Sequence, residues 1–79
     1  MEFIIIDGRR MTSVEAAHEY LAKTLRLPDY YGKNLDAFYD SLGEMNIDKI
    51  YVQNSEKGEF YFFAIMEIIE ELEIEVEYL

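Results

Sequence analysis

The sequence predicts a small α/β fold, in which a three-stranded parallel sheet is packed by helices in the order β-α-α-β-α-β. A β-branched apolar run at residues 3–6 is typical of a strand, as are residues 47–53 and 74–78, which are rich in β-branched and aromatic side chains. Apolar residues between these runs recur at helical spacing. A helix between two strands supplies the crossover that parallel pairing requires. A chain of 79 residues is expected to form one domain, residues 1–79.

The first strand and helix are predicted from the N-terminal third of the chain. Residues 3–6 indicate a buried strand, and Asp7-Gly8 indicates the turn that follows it. Thr12 and Glu15 fit a capping box, which predicts Thr12 as the N-cap of the helix. Leu27-Pro28 is expected to stop the helix, because proline disfavours helical backbone in the residue before it. The expected buried face consists of Val14, Ala17, His18, Leu21 and Leu25.

The remaining elements follow from the same periodicities. Asn34 is a good N-cap for a short second helix. Its core-facing residues are expected to be Leu35, Phe38 and Leu42. Residues 55–72 favour a helix, although a hairpin that pairs residues 51–52 with residues 60–63 is the alternative. In the last strand, Glu75 and Glu77 alternate with apolar residues, which predicts one solvated face.

The composition restricts the classes of partner. A net charge of −10, from 17 acidic and 7 basic residues, disfavours binding to nucleic acid and favours encounter with a basic protein. The plainer interpretation is that this charge only keeps the protein soluble. The chain has no cysteine, which suits a reducing cytoplasm. It has no apolar run long enough for a membrane span and no signal-peptide pattern at its start, so we expect a cytoplasmic protein without membrane contact.

Enzymatic function is disfavoured by the choice of polar residues. Asp36 and Asp40 could act as a general acid and base or bind Mg²⁺, but no nucleophile with an adjacent base and no glycine-rich phosphate loop accompanies them. His18 is followed by Glu19 without a second histidine four residues on, so it does not form a zinc motif. We therefore expect His18 to be a core residue, and we predict no catalytic residue, metal site or cofactor.

Residues 27–44 carry the strongest functional signal. Tyr30 and Tyr31 are expected in a loop beside Gly32, which can turn sharply, and adjacent aromatic residues on a loop often anchor interfaces. An acidic stripe follows on one face of the second helix, formed by Asp36, Asp40 and Glu44. A solvated helix face is the default explanation for such a stripe. Tyr39 argues against it, because an aromatic residue between the acids is unnecessary on a merely solvated face.

The string Leu-Pro-Asp-Tyr-Tyr-Gly-Lys-Asn-Leu-Asp-Ala, residues 27–37, resembles the signature of the barstar family, the intracellular inhibitors of secreted microbial ribonucleases. The resemblance covers most of the chain and becomes loose after Gly43. It implies that Asp40 enters the phosphate site of the ribonuclease, that Asp36 pairs with a nearby basic residue and that Tyr30 packs on a catalytic histidine. It also places other residues in the contact strip, namely Gly32, Asn34 and Leu35.

The chain departs from the family pattern in three places. Tyr39 stands where the family often has tryptophan, and Glu44-Met45 replaces a Gly-Trp pair after the second helix. The region after the second strand is shorter than in the type member, which leaves Glu67 and Glu70 as candidates for the family's second acidic patch.

We therefore predict a protein that blocks the active site of a basic, secreted, guanyl-type ribonuclease in a 1:1 complex. The alternative is an acidic adaptor on the same fold whose basic partner is not a nuclease. The predicted partner-binding residues are Tyr30, Tyr31, Gly32, Asn34, Leu35, Asp36, Tyr39, Asp40 and Glu44.

Overall fold

A computed structural model of the chain describes residues 2–79, and it confirms the predicted α/β fold and the order β-α-α-β-α-β. Two short 3₁₀ turns, Gly8–Arg10 and Ser55–Lys57, were not predicted. The strands and helices are β1 (Phe3–Asp7), α1 (Val14–Thr24), α2 (Leu35–Gly43), β2 (Lys49–Gln53), α3 (Phe60–Glu71) and β3 (Glu75–Tyr78).

The sheet is parallel throughout, with β2 between β1 and β3. Ile6, Ile50 and Val52 are at most 1% exposed and form its inner face under the helices. Phe3 and Ile5 point the other way and are each 52% exposed. The prediction of a fully buried first strand was therefore wrong for alternate residues, because the helices cover one face of the sheet and the pleat turns every second side chain to the other.

Helix α1 begins one residue later than the capping box predicted. The Ser13 hydroxyl, not that of Thr12, accepts the cap hydrogen bond, from the Ala16 N–H at 3.1 Å. Either hydroxyl is suitable for a cap, so the choice depends on the preceding chain, where Met11 is buried and its N–H bonds to the Gly8 carbonyl. The later start leaves Val14 half exposed in the first turn instead of on the buried face.

The ambiguous segment before the last strand resolves as a helix. Residues 60–63 lie in α3, so the hairpin alternative was wrong. Strand β2 already has β1 on one side and β3 on the other, so it has no free edge for a hairpin partner. The buried face of α3 carries Phe62, Ile65, Met66 and Ile69.

Helices α1 and α3 both end in a left-handed residue that is not glycine. Arg26 has φ 56° and Glu73 has φ 60°. At the end of α3, the Glu73 N–H bonds to the Glu70 carbonyl and the Ile74 N–H bonds to the Ile69 carbonyl, which is the Schellman pattern. Glycine is the preferred residue at this position, because it has no Cβ to crowd the following carbonyl.

Glu73→Gly should therefore stabilise the protein, by about 0.5–1 kcal/mol in the free energy of unfolding. Glu71→Gly is the matched control, since it removes the same charge from the last helical turn, where glycine should cost a similar amount of stability. Urea denaturation of the two variants checks the opposite signs. If both substitutions destabilise the protein equally, the backbone at Glu73 is not strained.

Candidate partner-binding site

Asn34 fixes the start of α2 and joins it to the preceding loop. Its Oδ1 accepts a hydrogen bond from the Ala37 N–H at 2.8 Å, which confirms the predicted N-cap. Its Nδ2 donates to the Gly32 carbonyl at 3.3 Å. The side chain of Asn34 is thus committed to local structure. Phe38 and Leu42 hold the inner face of the helix in the core, each 1% exposed, while Leu35 is half-buried beside them.

The outer face of α2 presents carboxylates to solvent. Asp36, Asp40 and Glu44 are exposed on successive turns, and Tyr39 is 41% exposed between them. Among residues 2–79, none of these three acids forms an ion pair within the chain. Asp36 lies in the first turn, where a negative charge interacts favourably with the N-terminal end of the helix dipole. The stripe is therefore a row of uncompensated negative charges on a well-anchored helix.

The loop before α2 turns at Lys33 and not at Gly32. Lys33 has φ 53°, whereas no glycine of the described chain has a positive φ. Gly32 lies close to α2: a Cβ there would be 3.2 Å from the Cβ of Ala37, which is tighter than an ordinary contact. The expectation that Gly32 supplies the sharp turn was wrong, because the positive φ belongs to Lys33.

The two adjacent tyrosines have opposite environments. Tyr30 is 88% exposed, as expected for a ring that cannot fit into so small a core. Tyr31 is 7% exposed, and its hydroxyl lies 2.7 Å from Nδ1 of His18. Burial raises the pKa of Tyr31 to about 12. Tyr31 therefore presents little surface to a partner, and its buried ring holds the loop that carries Tyr30.

His18 is fully buried, and both of its ring nitrogens are hydrogen-bonded. Nδ1 contacts the Tyr31 hydroxyl, and Nε2 contacts the Tyr61 hydroxyl of α3. A neutral imidazole has one N–H and one lone pair, so one tyrosine accepts a hydrogen bond and the other donates one. Burial lowers the pKa of His18, which keeps the ring neutral. The expected core role of His18 is confirmed.

A cleft of about 290 Å³ lies between the loop and α2. Five of the predicted site residues line it, namely Tyr30, Tyr31, Gly32, Asp40 and Glu44. Asn34, Leu35, Asp36 and Tyr39 lie outside it. Ser41, which the sequence did not single out, also lines the cleft. An exposed aromatic ring beside two carboxylates is suited to a cationic group that also carries a flat face.

The candidate second acidic patch lies on α3. Glu67 and Glu70 are exposed there. Within residues 2–79, no group of three or more His, Asp or Glu side chains is arranged to hold a metal ion. The helices of the same range include none with both the length and the apolar content to cross a membrane.

Comparison with known proteins identifies the family of the chain. The family model described as Barstar (barnase inhibitor) matches residues 1–77. The chain belongs to the barstar family. A Bacillus subtilis (strain 168) protein named "Putative ribonuclease inhibitor YrdF" is 52% identical over 42 residues. That alignment covers 53% of this barstar-family chain and 46% of YrdF, so it spans less than half of the relative's length.

One feature of this barstar-family chain was missed in the sequence. A second cleft, of about 540 Å³, lies between the end of α1 and the loop before α2, and its lining includes Lys23, Arg26 and Lys33. These are three of only seven basic residues, and they fall within eleven consecutive positions. This clustering of basic residues in an acidic chain could have indicated the cleft from the sequence.

The His18 network should make stability depend on pH. The pKa of His18 is lowered from its ordinary 6.5, so as the pH falls below 6.5 the unfolded chain takes up a proton before the folded one. Stability should be complete above that pH and decline below it, with a slope of at most about 1.4 kcal/mol per pH unit. Urea unfolding between pH 7 and pH 5 measures this slope.

His18→Gln is the control, because glutamine forms hydrogen bonds without titrating. Its stability should change less between pH 7 and pH 5 than that of the wild type. An equal slope in the two proteins would show that another group is responsible.

Proposed function

We propose that this chain inhibits a basic, secreted, guanyl-type microbial ribonuclease by occupying its active site in a 1:1 complex. The observation that carries the proposal is the pairing of Tyr30 with Asp40 in one cleft, where an 88% exposed aromatic ring stands beside an exposed carboxylate. Membership of the barstar family supports the same function. The contact surface proposed is the predicted set from Tyr30 to Glu44.

The chemistry follows from what a ribonuclease must provide. Its active site holds cationic side chains that bind the phosphate of RNA and stabilise the charge that develops during cleavage. A carboxylate aimed at that site accepts charge-assisted hydrogen bonds from the same groups and excludes substrate. Asp40 is assigned this role, and Asp36 and Glu44 extend the negative surface by one turn on each side. Tyr30 is assigned to a flat ring of the enzyme, such as that of a catalytic histidine.

The described geometry also favours tight binding, because little must be ordered on association. Asn34 caps α2, and Tyr31 holds the loop through His18. The exposed residues are thus carried by a backbone that is already fixed, which reduces the entropy lost on binding. The net charge of −10 adds long-range attraction toward a basic enzyme. The absence of cysteine fits the reducing cytoplasm in which we place the inhibitor.

Ribonuclease turnover is the direct test. Barnase, the enzyme named in the family description, is titrated with the protein while RNA cleavage is followed. Inhibition should be complete near one equivalent. Binding by calorimetry without loss of turnover would contradict the proposal and favour an acidic adaptor whose basic partner is not blocked at its active site.

Asp40→Ala should weaken binding to barnase by at least about 2 kcal/mol, which is roughly 30-fold in Kd. The free energy of unfolding should change by less than about 0.5 kcal/mol, because the carboxylate is exposed and forms no ion pair within residues 2–79. Glu56→Ala is the control, because it also removes one negative charge from an exposed position. Glu56 lies in the turn Ser55–Lys57, which packs on the turn Gly8–Arg10. If the two variants bind equally well, Asp40 does not occupy the active site.

Tyr30→Ala and His18→Ala should have crossed effects. Tyr30→Ala should weaken binding by more than about 1 kcal/mol and leave stability nearly unchanged, because the ring is exposed. His18→Ala should reduce stability by about 1–3 kcal/mol through a cavity and two lost hydrogen bonds. Affinity of the folded fraction of His18→Ala should fall less than that of Tyr30→Ala, because His18 is buried and acts on the partner only through the loop that it holds. Denaturant melts and binding curves give both quantities, and a loss of stability in Tyr30→Ala would contradict this division.

A further inference from the structure

The cleft between the end of α1 and the loop before α2 is an island of positive charge on an acidic protein. Lys23, Arg26 and Lys33 line it, and within residues 2–79 none of them forms an ion pair, although Glu19 and Asp29 also line the cleft. By contrast, Arg9 pairs with Asp7, and Lys49 pairs with Glu75 and Glu77. The three cations of this cleft are therefore available to a group outside the chain.

Two of these cations occupy backbone positions that favour glycine. Arg26 has φ 56° and Lys33 has φ 53°, a conformation that side chains with a Cβ adopt at a cost. Arg26 also occupies the position of a Schellman motif in which glycine is the usual residue, since the Leu27 N–H bonds to the Ala22 carbonyl. Glycine would be the more stable residue at either position, so both cations are present at a cost in stability.

The cationic cleft is continuous with the proposed contact surface. Pro28 and Tyr31 line both this cleft and the cleft of Tyr30 and Asp40, so the loop is a shared wall between a positive and a negative region. An interface of ordinary size covers about 800 Å² of each partner, which is a patch roughly 30 Å across. The whole molecule measures 29 × 28 × 20 Å. A partner centred on Tyr30 would therefore cover both regions.

We propose that Lys23, Arg26 and Lys33 form a second, positive pole of the interface and pair with carboxylates that lie beside the active site of the bound ribonuclease. This inference rests on the proposed function. Three cations held against a uniformly basic surface would be repelled, so the partner must present acidic groups at this point.

Charge reversal at Lys33 or Arg26 distinguishes local pairing with partner carboxylates from the long-range effect of net charge. Lys33→Glu and Arg26→Glu each make the chain more acidic by two charges, which by long-range attraction alone would speed association with basic barnase. Local pairing predicts the opposite result, a Kd raised by about tenfold or more, because like charges then face each other. Lys57→Glu is the matched control, since it makes the same change in net charge on the exposed turn Ser55–Lys57 and should not weaken binding. If all three variants bind alike, the positive pole is refuted.

Arg26→Gly separates binding from folding. It removes the charge and the strained Cβ together, so its melting temperature should rise while its affinity for barnase falls. A rise in melting temperature with unchanged affinity would refute a contact by Arg26. Binding of inorganic phosphate to the free protein that is lost in Arg26→Gly would also overturn the pairing, because the cleft would then be a site for a free anion.

The same assays distinguish failure of this inference from failure of the proposed function. If wild-type protein inhibits barnase and Asp40→Ala binds it more weakly, but reversal at Lys33 and Arg26 has no effect, only the positive pole is refuted. If wild-type protein neither binds nor inhibits barnase, the proposed function fails and the inference fails with it.

Discussion

The hydrogen bonds of one buried imidazole hold the proposed contact surface in place. His18 of α1 joins Tyr31 of the loop to Tyr61 of α3, so three separate elements meet at a single ring. Because Tyr31 points inward to reach His18, its neighbour Tyr30 is turned outward. Within residues 2–79 no buried side-chain nitrogen or oxygen lacks a partner, so this polar contact carries no unsatisfied group that would offset it. The exposed loop is thus fixed by the core.

The acidic helix illustrates a conflict between stability and binding. Asp36, Asp40 and Glu44 follow one another at spacings of four residues, and like charges at that spacing destabilise a helix by a few tenths of a kcal/mol per pair. Phe38 and Leu42 compensate on the opposite face, where both are almost completely buried. One helix therefore serves two purposes: its apolar face holds it to the core, and its charged face retains a repulsion that only an external cation relieves.

Much of the fold and part of the site could be predicted from local patterns. The alternation around Glu75 and Glu77 predicted β3, and Asn34 predicted the start of α2. Both patterns could be interpreted because each depends only on the conformation of the backbone at the same residues. The exposed face at Phe3 could not be predicted, since a run of four apolar residues does not show that helices cover only one side of the sheet. The positions of Arg26 and Lys33 around one cleft could not be predicted either. Their left-handed backbone and the packing of the loop against α1 depend on tertiary contacts, which local periodicity does not encode.

The parallel sheet also determines how the contact surface comes into being. Phe3 pairs with Lys49, and Lys49 with Glu75, so the first pairing encloses α1, the loop and α2 within one long crossover. Such pairing is non-local, and the chain entropy of closing the crossover must be lost before the sheet contributes any stabilising contact. Tyr30 and Asp40 lie inside this crossover, and the loop that carries Tyr30 is tied to α1 and α3 through Tyr31 and His18. The surface proposed to bind a partner therefore depends on the fold of the whole domain and not on residues 30–40 alone.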